Sequence, residues 1–351
     1  MEELKLALND ERQDKQMERY SRQMLFAPIG EAGQRKLMGK AVLIVGMGAL
    51  GTVLANHLVR AGVGRVRFVD RDYVEKSNLQ RQMLYDEEDV RHAYPKVIAA
   101  EKKLSKINSG VRLEPIVADV TAHNVDALLQ DMDLVLDGTD NFQTRFLLND
   151  ACWKLGIPFT YGGAVSSRGM SAIFVPGATP CLRCFIQTAD GSGQTCDTIG
   201  VISPVVDIVA SYQAVEALKY LVEAHGQRRN SLVTFDLWHN QFFEMKLGEP
   251  RSDCPCCQLK QYPALQVDEQ DAFLSLCGRE TIQITGNNQL DLELWRVRLG
   301  QAAKVDANPF LLRAELPEGE RLVLFPDGRV LVQGTNDIVR AKTLYARYIG
   351  V

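Results

Sequence analysis

The chain has 351 residues, 46% of them apolar and 24% charged, with a formal net charge of −4. That is the makeup of an ordinary folded protein, long enough for one large domain and a smaller one. The acidic balance argues against nucleic acid as the main partner. No apolar run is long enough to span a bilayer, and the charged N-terminus (MEELKLALNDERQDKQMER) lacks the apolar core of a secretion signal.

Residues 1–18 read as a polar helical arm. Ala41–Val45 is a short apolar run of strand type that ends in a glycine loop, Gly46-x-Gly48-x-x-Gly51. An amphipathic stretch from Thr52 to Ala61 follows, then a second strand, Arg65–Val69, closed by Asp70. Strand, glycine turn, helix and strand make one βαβ unit with parallel strands. Further strands are expected at Arg112–Val117, Leu134–Leu136, Pro158–Tyr161 and Ser171–Val175, with helices at Pro95–Ile107 and Asn141–Leu155 between them. Alternation of this kind predicts a doubly wound, Rossmann-like, mostly parallel α/β sheet. Pro204–Ala224 is a helical pattern with proline in its first turn, its apolar stripe suited to core or dimer packing. Beyond Cys257 there is no nucleotide loop. Two turn signals (326–328 and 334–336) and a final helical stretch to Tyr348 mark a small C-terminal α/β module. The expected divisions are therefore an arm at 1–18, a main domain at 19–258 and a module at 259–351.

The cysteines carry chemistry of their own. In a cytoplasmic chain, the expected compartment here, eight cysteines read as metal ligands, reactive thiols or core residues rather than disulfides. Cys181-Leu-Arg-Cys184 and Cys254-Pro-Cys-Cys257 form two CxxC pairs, suited to a closed tetrahedral Zn²⁺ site. The two-residue spacer favours Cys257 over Cys256 as the fourth ligand. Between the pairs, Cys196 lies in a polar, glycine-containing loop.

The glycine loop stands after a strand and before a helix, where bare backbone N–H groups and the helix N-terminus attract phosphate. Asp70, 19 residues beyond Gly51, is placed to grip ribose hydroxyls. These features suit a dinucleotide such as NAD as well as ATP. Asn78 and Arg81 follow just past the ribose site, Lys96 opens a helix, and Thr139-Asp140-Asn141 closes another strand. Cations there suit a triphosphate that must lose pyrophosphate, and a carboxylate at the sheet's C-terminal edge suits Mg²⁺. The five histidines form no acid–base arrangement of the kind a hydride-transfer site wants.

Arg19-Tyr-Ser-Arg22-Gln, the glycine loop, Asp70, Ser77-Asn-Leu-Gln-Arg81-Gln, Lys96, Thr139-Asp-Asn141, both CxxC pairs and the segment Cys196–Pro204 occur in this order. The set resembles the ThiF/MoeB family, bacterial relatives of the ubiquitin-activating enzymes, over about residues 18–258. The resemblance implies ATP, Mg²⁺ and structural Zn²⁺, a homodimer, and adenylation of the C-terminal glycine carboxylate of a small ubiquitin-like sulfur carrier. The carrier would be of ThiS type, for the thiazole of thiamine, or of MoaD type, for molybdopterin, with the first favoured. By position, Gly46, Gly48, Ala49 and Gly51 would lie against the nucleotide and Asp70 would hold its ribose. Asn78, Arg81 and Lys96 would contact phosphates; Asp140, beside Asn141, would hold Mg²⁺. Arg22 would reach into the neighbouring subunit's site. Cys196 matches a cysteine that links covalently to the carrier in the ThiF branch. Where many relatives have small residues before the proline, this chain has Ile199-Gly200-Val-Ile-Ser203. The tail around Cys277 lacks the cradle of a sulfur-donating rhodanese, so a separate protein such as a cysteine desulfurase would supply sulfur. The readings set against this one are an NAD-dependent oxidoreductase and a degenerate activating-enzyme subunit acting as scaffold, the latter disfavoured by Arg81, Lys96 and Asp140.

Overall fold

A computed structural model of the chain describes residues 17–186, 199–266, 273–276, 280–286 and 288–350. The first sheet has eight strands: β1 (Ala41–Val45), β2 (Arg65–Asp70), β3 (Arg112–Val117), β4 (Leu134–Asp137), β5 (Phe159–Val165), β6 (Arg168–Phe174), β7 (Ser231–Asp236) and β8 (Gln241–Lys246). Their spatial order is β3-β2-β1-β4-β5-β6-β7-β8. The first five run parallel and the last three antiparallel.

β1 is apolar at all five positions because both its faces are covered. Val42 and Ile44 pack with helix α1 (Ala49–Ala61), helix α2 (Lys96–Ile107) and the long helix α4 (Ser203–Leu221). Ala41, Leu43 and Val45 pack on the other side, against helix α3 (Phe142–Leu155) and the turn at 125–129. The side chain of Asn141 caps α3 by accepting the Thr144 N–H at 2.8 Å. At the far edge, β8 leaves Phe242, Phe243 and Met245 exposed.

The C-terminal module builds a second sheet, wholly antiparallel, in the order β11-β12-β13-β14-β10-β9. Its strands are β9 (Phe273–Leu276), β10 (Thr281–Thr285), β11 (Lys304–Ala307), β12 (Leu312–Glu315), β13 (Arg321–Leu324) and β14 (Arg329–Gln333). Period-two alternation gives the sheet two apolar faces. Leu322, Leu324, Val330 and Val332 pack under helices α5 (Leu292–Leu299) and α6 (Ile338–Tyr348). Val323, Phe325 and Leu331 face the other way, onto Tyr73 and Ala93 of the main domain. The tail is thus seated against the loops that follow β2.

Candidate active site

The strand order of the first sheet reverses between β1 and β4. In an open α/β sheet that reversal opens a crevice beyond the carboxyl ends of the strands. The loop after β1 forms one lip. Gly46 has φ +87°, and a Cβ there would fall 2.7 Å from the Gly138 carbonyl oxygen. A Cβ at Gly51 would fall 1.8 Å from the Gly46 carbonyl oxygen, so α1 starts in close contact with the loop. Gly48 differs: a Cβ there would meet only Gln82, at 3.8 Å. Its bareness serves open space rather than packing. No side chain caps α1, whose first residue is Ala49, so its leading N–H groups are available to an anion.

Asp70 ends β2 with both carboxylate oxygens engaged. Oδ2 accepts the Met47 N–H at 2.6 Å and Oδ1 the Asp72 N–H at 2.7 Å. Burial pushes its pKa above the usual carboxylate range, with Lys96 pulling the other way. Lys96 opens α2, its side chain only 3% exposed, and its ammonium lies 3.1 Å from Asp72 Oδ2. The Tyr85 hydroxyl lies 2.7 Å from the Met47 carbonyl and 3.1 Å from that of Lys96, joining the two lips. Asn78 is buried and accepts the Glu75 N–H at 3.0 Å, while Arg81 donates to the Ser77 carbonyl at 3.0 Å.

Behind the loop after β4 lies a buried ion pair that sequence reasoning passed over. Arg145 Nε lies 2.8 Å from Asp137 Oδ2. The same guanidinium donates to the carbonyls of Thr139 and Gly162, both at 2.7 Å. Asp137 Oδ1 accepts the Thr139 N–H at 2.9 Å and its hydroxyl at 2.6 Å. These bonds fix the turn 138–140 and present the exposed carboxylate of Asp140 at the crevice mouth. Arg71, also passed over, belongs to the same field. Burial works against its charge, but Asp119, Asp72 and Asp140 outweigh that and raise its pKa. In the sequence Arg145 looks like one more polar residue of a helix, and Arg71 like loop charge. Only burial distinguishes them.

Arg22 stands apart. It is exposed on the short helix Ser21–Met24, whose Gln23 donates to the Ala61 carbonyl at 3.0 Å. Ala61 is the last residue of α1, whose 13 residues span about 20 Å. Arg22 therefore sits at the opposite end of α1 from the crevice.

Cys181, Cys184, Cys254 and Cys257 come together with their sulfurs all within 4.8 Å of one another. Two pairs, Cys181–Cys254 and Cys184–Cys257, are 3.5 Å apart. Zinc–thiolate bonds of about 2.3 Å put tetrahedral edges near 3.8 Å, so the donor set and spacing fit a four-thiolate ion. Adjacent residues of α3 hold both knuckles. Asn149 accepts the Leu182 N–H and donates to Cys256, and Asp150 pairs with Arg183 while accepting the Ala264 N–H. Cys196, in the sequence between the knuckles, lies outside the described residues.

The family model of the ThiF family matches residues 20–256. A sulfur carrier protein ThiS adenylyltransferase of Bacillus subtilis is 48% identical over 95% of this chain and 99% of its own. A sulfur carrier protein adenylyltransferase of Thermus thermophilus is 38% identical over 69% of this chain and 91% of its own. A molybdopterin-synthase adenylyltransferase of Escherichia coli is 36% identical over 67% of this chain and 94% of its own. Among solved structures, that of Escherichia coli MccB with ATP is similar in fold, with a TM-score of 0.59 and 22% identity. It covers 68% of this chain and 74% of its own. With more than half its length matched by the family model and near-complete coverage of a 48% identical relative, the chain belongs to the ThiF family.

Proposed function

We propose that this protein is an ATP-dependent adenylyltransferase acting on the C-terminal glycine carboxylate of a ubiquitin-like sulfur carrier of ThiS type, in assembly of the thiazole of thiamine. One observation carries the reading: Arg81 and Asp140, in loops, and Lys96, at the start of α2, belong to the segments around the glycine crevice at the point where strand order reverses. Membership of the ThiF family favours this over an NAD-dependent oxidoreductase. The relative that spans nearly the whole chain bears the ThiS name, which favours that carrier over the MoaD type.

The chemistry follows from charge. A carboxylate is already anionic at pH 7, so the attack needs no general base. The new bond joins a carboxylate oxygen to the α-phosphorus, the bond to the bridging oxygen breaks, and pyrophosphate leaves with its electron pair. The barrier lies in bringing two anions together and dispersing charge on the leaving group. The helix N-terminus at Gly48-Ala49 and the cations Arg81 and Lys96 serve those ends, Asn78 adds an amide, and Asp70 orients the ribose. Lys96 is held at Asp72 until phosphate oxygens offer a stronger partner. Asp140, beside Asn141, would hold Mg²⁺, which neutralises phosphate charge when bound. The four cysteines would hold Zn²⁺ as a structural tie between the two knuckles.

Arg22 acts in trans in this reading. Its distance from its own crevice, with Leu25 and Phe26 73% and 60% exposed beside it, supports a homodimer in which it completes the neighbour's site. Cys196 would take part in a covalent link to the carrier, and a separate cysteine desulfurase would supply sulfur. No helix among the described residues is long and apolar enough to cross a membrane, in keeping with a cytoplasmic place.

The test is ATP–pyrophosphate exchange with purified carriers ending in Gly-Gly. Exchange that requires the ThiS-type carrier supports the proposal. Exchange with a MoaD-type carrier alone transfers the enzyme to the other pathway, and exchange with neither removes the reading.

A further inference from the structure

Three residues before Lys96 the chain makes a turn that the C-terminal module contacts directly. The helix Glu87–Arg91 ends in a Schellman arrangement, with the Tyr94 N–H donating to the Asp89 carbonyl at 3.2 Å and the Ala93 N–H to that of Val90 at 3.1 Å. The residue that must turn left-handed there is ordinarily glycine. Here it is Ala93, with φ +46°. A side chain makes that conformation strained, and it persists only where surroundings over-determine it.

The surroundings come from the C-terminal module. Asn308 donates its side-chain amide to the His92 carbonyl at 2.8 Å and the Ala93 carbonyl at 3.1 Å. Its Oδ1 accepts the N–H groups of Phe310 and Leu311, at 2.8 and 2.9 Å, so the amide is itself locked by its own loop. Ala93 is 2% exposed, covered by Leu311, Val323 and Phe325. Three residues on, Lys96 opens α2. The intervening chain leaves little slack. Tyr94 accepts the Val74 N–H at 2.9 Å, Tyr73 and Pro95 form a β-bridge, and the Lys96 N–H donates to the Asp72 carbonyl at 2.9 Å. The module grips the opposing segment too, the Tyr73 hydroxyl lying 3.0 Å from Gln333 Oε1.

We propose that Asn308 is a positioning residue for Lys96: by holding the left-handed turn at Ala93, it makes the C-terminal module part of the nucleotide site. The proposal rests on the reading of the crevice as an ATP site. It assigns the module work at the phosphates rather than stability alone. A shifted turn would displace the ammonium relative to the triphosphate.

The experiment measures carrier-dependent ATP–pyrophosphate exchange by the full-length protein and its variants. Asn308→Asp keeps the oxygen that Phe310 and Leu311 use and removes both donors to the turn, so its loop has reason to fold. The expected result is a KM for ATP raised about tenfold, the scale of one or two net hydrogen bonds, with the KM for carrier unchanged. Asn308→Ala should show the same defect. Adding Ala93→Gly to it should restore the KM for ATP, since glycine holds the turn without help. Unchanged kinetics in both Asn308 variants, or a defect that Ala93→Gly does not relieve, overturns the proposal. A lower melting temperature with normal kinetics likewise leaves only a structural role and overturns it. Lack of exchange in the parent protein would instead count against the ATP reading beneath it.

Discussion

The two sheets of this protein spend their polar groups differently. The first gathers them at one edge: Asp70, Asp137 and Asp140 lie at or just past strand ends, and the crevice they border carries the proposed chemistry. The second meets the first through an apolar face, Val323, Phe325 and Leu331, with a few polar side chains around it. Gln283 donates to Asp119, Arg329 to the Arg71 carbonyl, and Gln333 meets Tyr73. Residues 71, 73 and 119 lie within two or three positions of the ends of β2 and β3. A reacting edge is made of loops, and loops are held from outside the sheet that carries them. Relatives such as the Escherichia coli protein match only 67% of this chain while covering 94% of their own length. A core of ThiF type therefore exists without such a module. In this chain the module has been built into the rim.

Breaking each half in turn separates the two roles. The largest effects on stability should come from buried groups beneath the edge and between the sheets. Asp137→Ala strands Arg145 without its partner in the interior and should cost about 3–5 kcal/mol of unfolding free energy. Phe325→Ala, at a fully buried position between the sheets, should cost about 3–5 kcal/mol as well. Denaturant titration reads both, and a loss under about 1 kcal/mol in either would contradict the packing described. Next, Arg81→Ala should reduce pyrophosphate exchange by about 10²-fold or more, as loss of one preorganised charge-stabilising donor does, with little change in the unfolding midpoint. Near-normal exchange would remove Arg81 from the site. The smallest change sharpens the contrast within one loop. Gly48→Ala should leave the melting temperature nearly unchanged and weaken ATP binding about tenfold by crowding the phosphate approach. Gly51→Ala should destabilise the fold itself, because its methyl group meets backbone. Equal melting temperatures for the two variants would refute the distinction.

The first sheet was largely legible as sequence. Ala41–Val45 and Arg112–Val117 are strands as expected, Arg65–Val69 extends by one residue, and the helix expected from Thr52 begins three residues earlier, at Ala49. Strands buried on both faces are continuous apolar runs, and the glycine loop marks where the first one ends. The four cysteines were equally plain, since ligand spacing is a local property. β7 and β8 were not foreseen, because the buried side of Ser231–Asp236 begins with a polar serine while Leu232 falls on the other side, blurring the alternation, and β8 is a wholly exposed edge strand. The module was expected as α/β, but its strands of four and five residues could not be ordered from their pattern, and its sheet is antiparallel throughout. Arg71, Asp72, Asp137, Arg145 and Asn308 were missed for a common reason. A buried or half-buried, paired polar residue looks like a surface one until its partner, often far along the chain, is known. Ala93 was invisible in another way, since the local rule for such a turn asks for glycine.

The most direct test of the account is the intact mass of a ThiS-type carrier after incubation with this protein, Mg²⁺ and ATP. The account predicts a carrier heavier by one adenylyl group, or joined to the enzyme through its C-terminal glycine carbonyl with AMP released, and an unmodified carrier when Arg81→Ala replaces the parent. A carrier of unchanged mass under saturating ATP, with the parent protein folded and its four cysteines metal-loaded, would contradict it.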